Sequence, residues 1–135
     1  MDKINSIQNA IETYTDRSKS EDNKVGYAFY IPQYNHTFNS RITDNLSVFT
    51  AELYAIKQAL TWIKHNNIQH NIVIYSDSKS AIEALQRKNS NTRPNLIQQI
   101  LQLNHELHQS ISLVWISSHV GIIGNEKQII KQRKP

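Results

Sequence analysis

The stretch "NIVIYSDSKSAIEALQRK", residues 71–88, decides the fold. Its first half is short, apolar and β-branched, as a strand buried on both faces must be. Its second half switches at once to helical spacing, with Ser80 and Glu83 placed as a capping box. A buried strand running straight into a helix is one half of a βαβ unit. Asp77 sits at the junction, where open α/β sheets place their ligands.

Working outward, "LSVFTAELYAIKQALTWIKHNN" (46–67) is the strongest helix: Ile56, Leu60 and Ile63 recur at helical spacing, with Ala51, Ala55 and Ala59 beside them. "RPNLIQQILQLNHELH" (93–108) is another, with Pro94 near its start and Leu96, Ile100, Leu103 and Leu107 on one face. "ISLVWIS" (111–117) reads as the last strand. On the N-terminal side, "IETYT" (11–15) reads as a strand and "DRSKSEDNK" (16–24) as a polar loop. "VGYAFYI" (25–31) and "YNHTFNSRI" (34–42) read as a hairpin joined through "PQ". The order β-β-β-α-β-α-α-β predicts an α/β fold: a five-stranded mixed sheet with helices on both faces. The expected divisions are a lead-in over 1–10, a domain over 11–127 and an atypical basic tail over 128–135.

The 135 residues suit one domain; 39% are hydrophobic and 19% charged, an ordinary globular balance. There is no cysteine, which excludes disulfides and thiolate metal sites. No long apolar run marks a membrane span, and "MDKINSIQNAIETY" lacks a signal-peptide core. An intracellular protein, nuclear or cytoplasmic, is expected. The net charge of +4 and a pI near 9.4 favour polyanionic partners without naming one.

Three carboxylates then attract notice. Asp16 and Asp77 follow strand-like runs; if those strands are neighbours, their Cα atoms lie about 5 Å apart. Glu52 lies among alanines and large apolar residues and is expected to face inward, where a carboxylate is costly without a compensating cation. Clustered acidic oxygens suit Mg²⁺ or Mn²⁺. Two such ions roughly 4 Å apart can activate water and stabilise a leaving oxygen in phosphodiester hydrolysis. Each residue alone has a plainer reading: Asp16 and Asp77 as turn or helix caps, Glu52 as part of a solvated helix face.

The segments "YTDRSK", "FTAELYAIKQAL", "IYSDSKSAIEAL" and "WISSHVGIIGNEK" occur in order at spacings that resemble type 1 ribonuclease H. The nearest flavour is the ribonuclease H domain of non-LTR retrotransposon polyproteins. The resemblance spans about residues 11–127. It implies Mg²⁺-dependent cleavage, with Mn²⁺ as a substitute and two ions at the site, of the RNA strand of RNA–DNA hybrids, leaving 3′-hydroxyl and 5′-phosphate ends. It implies no small-molecule cofactor and a monomer. By resemblance, Asp16, Glu52 and Asp77 match three of the four metal-binding carboxylates. His119 matches a mobile histidine that assists product release or proton transfer. Ser47 matches a hydroxyl that contacts the DNA strand, and is also a good helix cap. RNA selectivity would come from reading 2′-hydroxyls across a shallow minor groove. The other five histidines read as surface, with His105 and His108 sharing a helix face.

Two positions depart from the family pattern. Arg17 stands where the family usually has Gly after the first Asp; it crowds the metals or contacts a phosphate. Ile129 stands where the fourth carboxylate is expected, and Glu126 belongs to the "GNE" element rather than replacing it. If Lys127-Gln128-Ile129 are written with the chosen codons AAG-CAG-ATA, reading one base out of frame gives Ala-Asp, so under that choice the tail "QIIKQRKP" resembles a frameshifted family ending. Two readings stand side by side: a hybrid-cleaving nuclease weakened by Arg17 and Ile129, and a catalytically inactive remnant or nucleic-acid-binding module. A related 3′–5′ exonuclease ranks below both, because it would need two acids two residues apart on the first strand and "YTDRSK" has one.

Overall fold

A computed structural model describes residues 9–19, 25–42 and 47–117, apart from the side chains of 17–19, 25 and 42. His119, Glu126, Ile129 and the basic tail lie outside them.

Five strands form one mixed sheet. β1 (Ile11–Lys19), β2 (Val25–Ile31) and β3 (His36–Ile42) make an antiparallel meander. A 3₁₀ turn, Pro32–Tyr34, joins β2 to β3 and closes on Asn35 in the left-handed region. α1 (Val48–His65) then crosses the sheet and leads to β4 (Ile72–Ser76), which pairs in parallel with β1. α2 (Lys79–Arg87) and α3 (Pro94–Glu106) lead to β5 (Ile111–Trp115), parallel to β4. The strand order is β3-β2-β1-β4-β5. β4 lies between β1 and β5 and is buried at all five positions, as its apolar run required.

The first strand is longer than the sequence indicates. β1 continues through Asp16 to Lys19, because "DRSK" pairs with β2 from Asp16↔Ala28 to Lys19↔Val25. This outer part has left β4, whose pairing with β1 ends at Tyr14↔Tyr75, so polar residues are tolerated there. Asp16 therefore lies not at the end of a strand but two residues past the end of its parallel pairing.

The start of α2 also differs. Ser78, not Ser80, is the N-cap: it is extended (φ −96°, ψ 96°) and its side chain accepts from the Ala81 amide at 3.3 Å, while Glu83 is exposed. The strand ends at Ser76, leaving only Asp77 and Ser78 to turn the chain, so the first available hydroxyl takes the cap. α3 ends at Glu106, so His108 lies beyond it and does not share a helix face with His105.

One continuous apolar cluster joins Ile11, Phe29, Ile31, Ile72 and Ile74 of the sheet to buried residues of all three helices, among them Leu53, Ile56, Leu60, Ala84, Leu85 and Ile97. The described helices thus cover one face of the sheet. The other face carries Tyr14, Tyr30, Val73 and Tyr75, with Tyr14 and Tyr75 stacked at 4.9 Å between ring centroids. The helix expected over that second face would fall on residues outside those described. No described helix is long and apolar enough to cross a membrane.

Candidate active site

Three elements converge where the parallel pairing of β1 and β4 stops. Asp16 and Asp77 each lie two residues beyond the last pair, Tyr14↔Tyr75. Glu52 approaches from the first turns of α1. That helix begins at Ser47, whose side chain accepts from the Thr50 amide at 3.1 Å and donates to Thr50 Oγ1 at 3.0 Å. Ser47, exposed itself, thus has a capping role that fixes where Glu52 enters the interior.

Glu52 has no solvent exposure and Asp16 is 4% exposed. The Thr15 hydroxyl donates to Glu52 Oε2 and also stands 3.0 Å from the Tyr75 carbonyl oxygen. Glu52 Oε1 is buried without a hydrogen-bond partner. Burial pushes the Glu52 carboxyl up to about 7. The hydroxyls of Thr15 and Ser76 pull the other way, and the charges of Asp77 and Asp16 add to the rise. A buried anion facing two further acids is poorly tolerated, so Glu52 gives up its proton only near neutral pH instead of near 4.5.

These oxygens suit a hard cation in kind: all are carboxylate donors, and one buried oxygen is unfilled. They do not form a closed cage. Among the described residues no group of three or more His, Cys, Asp or Glu side chains stands ready to hold an ion. Strand alternation accounts for this, since Thr15 faces α1 while Asp16 points to the side of Tyr14. Asp16 and Asp77 reach Glu52 through their charge.

Thr15 was not legible in the sequence as part of the site. Its one signal is its position next to Asp16 on a strand whose inward side is otherwise apolar or hydroxylic. The side chain of Arg17 and all of His119 fall outside the described structure. His65, His70, His105 and His108 are exposed, in keeping with a surface role, whereas His36, expected at the surface, is half-buried because its ring stacks on Trp62.

A family model for RNase H matches residues 8–128. The chain belongs to the RNase H family. Members of this family act on RNA–DNA hybrids and generally use divalent metal ions. The family is one of ribonucleases, hydrolases of phosphodiester bonds.

Proposed function

We propose that this RNase H domain, spanning residues 11–127, is a type 1, retrotransposon-like, metal-dependent endonuclease that hydrolyses the RNA strand of RNA–DNA hybrids. The observation that carries this reading is Glu52: a fully buried carboxyl with an unfilled oxygen, under the charge of Asp16 and Asp77, in a chain of this family. Asp16, Glu52 and Asp77 would hold Mg²⁺ or Mn²⁺. Bound there, the ion supplies Lewis acidity at the scissile phosphate and lowers the pKa of the attacking water. The chain's own residues do the rest. Glu52 gives up its proton on loading. Ser47, on the surface at the start of α1, meets the DNA strand, and Arg17 either crowds the metals and weakens turnover or contacts a phosphate. His119 moves a proton or helps product leave. The working unit is a monomer inside the cell.

The second reading is an inactive copy that still binds hybrids, favoured by Ile129 at the position where the family's fourth carboxylate is expected. Cleavage of a labelled RNA–DNA hybrid in Mg²⁺ and in Mn²⁺ separates the two, with Asp77→Asn as control. Loss of RNA-strand cleavage in Asp77→Asn alone supports the nuclease. A correctly folded parent that does not cut at high concentration leaves the inactive copy.

A further inference from the structure

The three candidate ligands come from three different elements, and one small side chain touches all three elements. Thr15 sits on β1 beside Asp16. Its hydroxyl contacts the carbonyl of Tyr75 on β4, two residues before Asp77, and donates to the carboxyl of Glu52 on α1. It is 1% exposed, so no water competes for these bonds. It is also the first residue past the end of the β1–β4 pairing, where the backbone no longer holds the two strands together. The hydroxyl takes over that task and, in the same contact, fixes the rotamer of Glu52. The neighbouring Thr13 is equally buried, yet its hydroxyl has no partner and ties nothing together.

We infer that Thr15 is the positioning residue of the site, setting Glu52 against Asp16 and Asp77 so that a divalent cation can be held between them. This rests on the metal-site reading above. The hydroxyl touches neither ion nor substrate; it acts through Glu52, as outer-sphere partners of metal ligands do. Thr15→Val keeps the shape and removes the hydroxyl, whereas Thr15→Ser keeps the hydroxyl.

The test is Mn²⁺ titration by calorimetry on the full chain, with thermal unfolding followed in parallel. The expected result is binding about 10- to 100-fold weaker in Thr15→Val, as for other outer-sphere losses, with Thr15→Ser close to the parent. In hybrid cleavage the Mg²⁺ half-saturation should rise while KM for the hybrid stays put, a split that general loosening of the fold does not produce. Parent-like binding in Thr15→Val overturns the inference, as does a Thr15→Ser variant as weak as Thr15→Val. If Thr15→Val loses its cooperative transition, Thr15→Ala takes its place under the same criteria. Glu52→Gln separates the two levels. If it weakens Mn²⁺ binding and the Thr15 variants do not, only the role of Thr15 fails. If the parent does not bind Mn²⁺, the metal reading fails and this inference falls with it.

Discussion

Thr15 and Glu52 are joined by a hydrogen bond in the interior, and its direction depends on the charge of the carboxyl. Thr15 has one proton and two acceptors in reach, the Glu52 carboxyl and the Tyr75 carbonyl. With Glu52 neutral both can be served: the carboxyl donates to Thr15, and Thr15 donates to Tyr75. With Glu52 ionised, Thr15 must turn to the carboxylate and give up the Tyr75 carbonyl, and the charge rests on two hydroxyls, Thr15 and Ser76, in a fully buried site. The metal-free fold is therefore better matched to the acid form.

Stability should follow that proton. The Glu52 carboxyl rises from 4.5 to about 7 on folding. Between those values the folded chain keeps a proton that the unfolded chain has lost, so metal-free stability falls as pH rises through that window. The contribution is fully present below 4.5 and gone above about 7; its size is roughly 3 kcal/mol. Urea unfolding of the parent and of Glu52→Gln from pH 4.5 to 8, in a chelating buffer, should show a decline in the parent and a flatter profile in the variant. Parallel profiles would mean that Glu52 does not titrate in this window. Saturating Mn²⁺ at pH 8 should stabilise the parent and leave Glu52→Gln nearly unmoved.

His36 gives the opposite sign. Its ring stacks on Trp62 at 4.3 Å between centroids, and its Nε2 is buried without a partner. Burial lowers its pKa below the ordinary 6.5. The unfolded chain takes up the proton first, so stability drops as pH falls below 6.5. His36→Phe keeps the ring stack and removes the titration. The acid limb of its thermal stability curve should move to lower pH with little change at pH 8; an unchanged acid limb would assign that limb to other groups.

Much of this architecture could be read directly, for physical reasons that differ by element. β4 is apolar without interruption because it is covered on both sides, and α1 and α3 carry long periodic stripes. The outer half of β1 looks like a loop in sequence because it pairs only with β2 and its residues are polar. The cap of α2 is ambiguous in sequence because two serines flank Lys79 and only the backbone decides between them. At the site, Glu52 betrayed itself as a carboxylate inside an apolar stripe. Thr15 did not, since a threonine in a strand is ordinary and its partners lie 37 and 60 residues away in the chain.

Lys88 ends α2 in the left-handed region (φ 65°, ψ 21°), with its amide bonded to the Leu85 carbonyl. A side chain with a Cβ is disfavoured there, and this one is exposed, so little packing offsets the cost. Lys88→Gly should raise stability by about 1 kcal/mol in urea unfolding, without changing the m-value. A loss instead would show that the greater freedom of glycine in the unfolded chain outweighs the relief of strain.

Ile129 and Arg17 bear on whether the site turns over. An isoleucine cannot donate to a hard cation, so on the proposed reading three carboxylates would hold the metal, without the fourth that the resemblance implies. Net negative charge at the site is then lower, and cation affinity falls with it. Ile129→Asp should strengthen Mn²⁺ binding by about tenfold, worth some 1.4 kcal/mol, and raise the rate of hybrid cleavage at limiting metal. Arg17→Gly should act on substrate instead: if the guanidinium crowds the site, the variant lowers KM for the hybrid, and if it grips a phosphate, KM rises and becomes less sensitive to salt. The double variant, Arg17→Gly with Ile129→Asp, should be the fastest if both residues hinder. A parent that already matches it would mean that three carboxylates suffice, and that position 129 contributes nothing to this site.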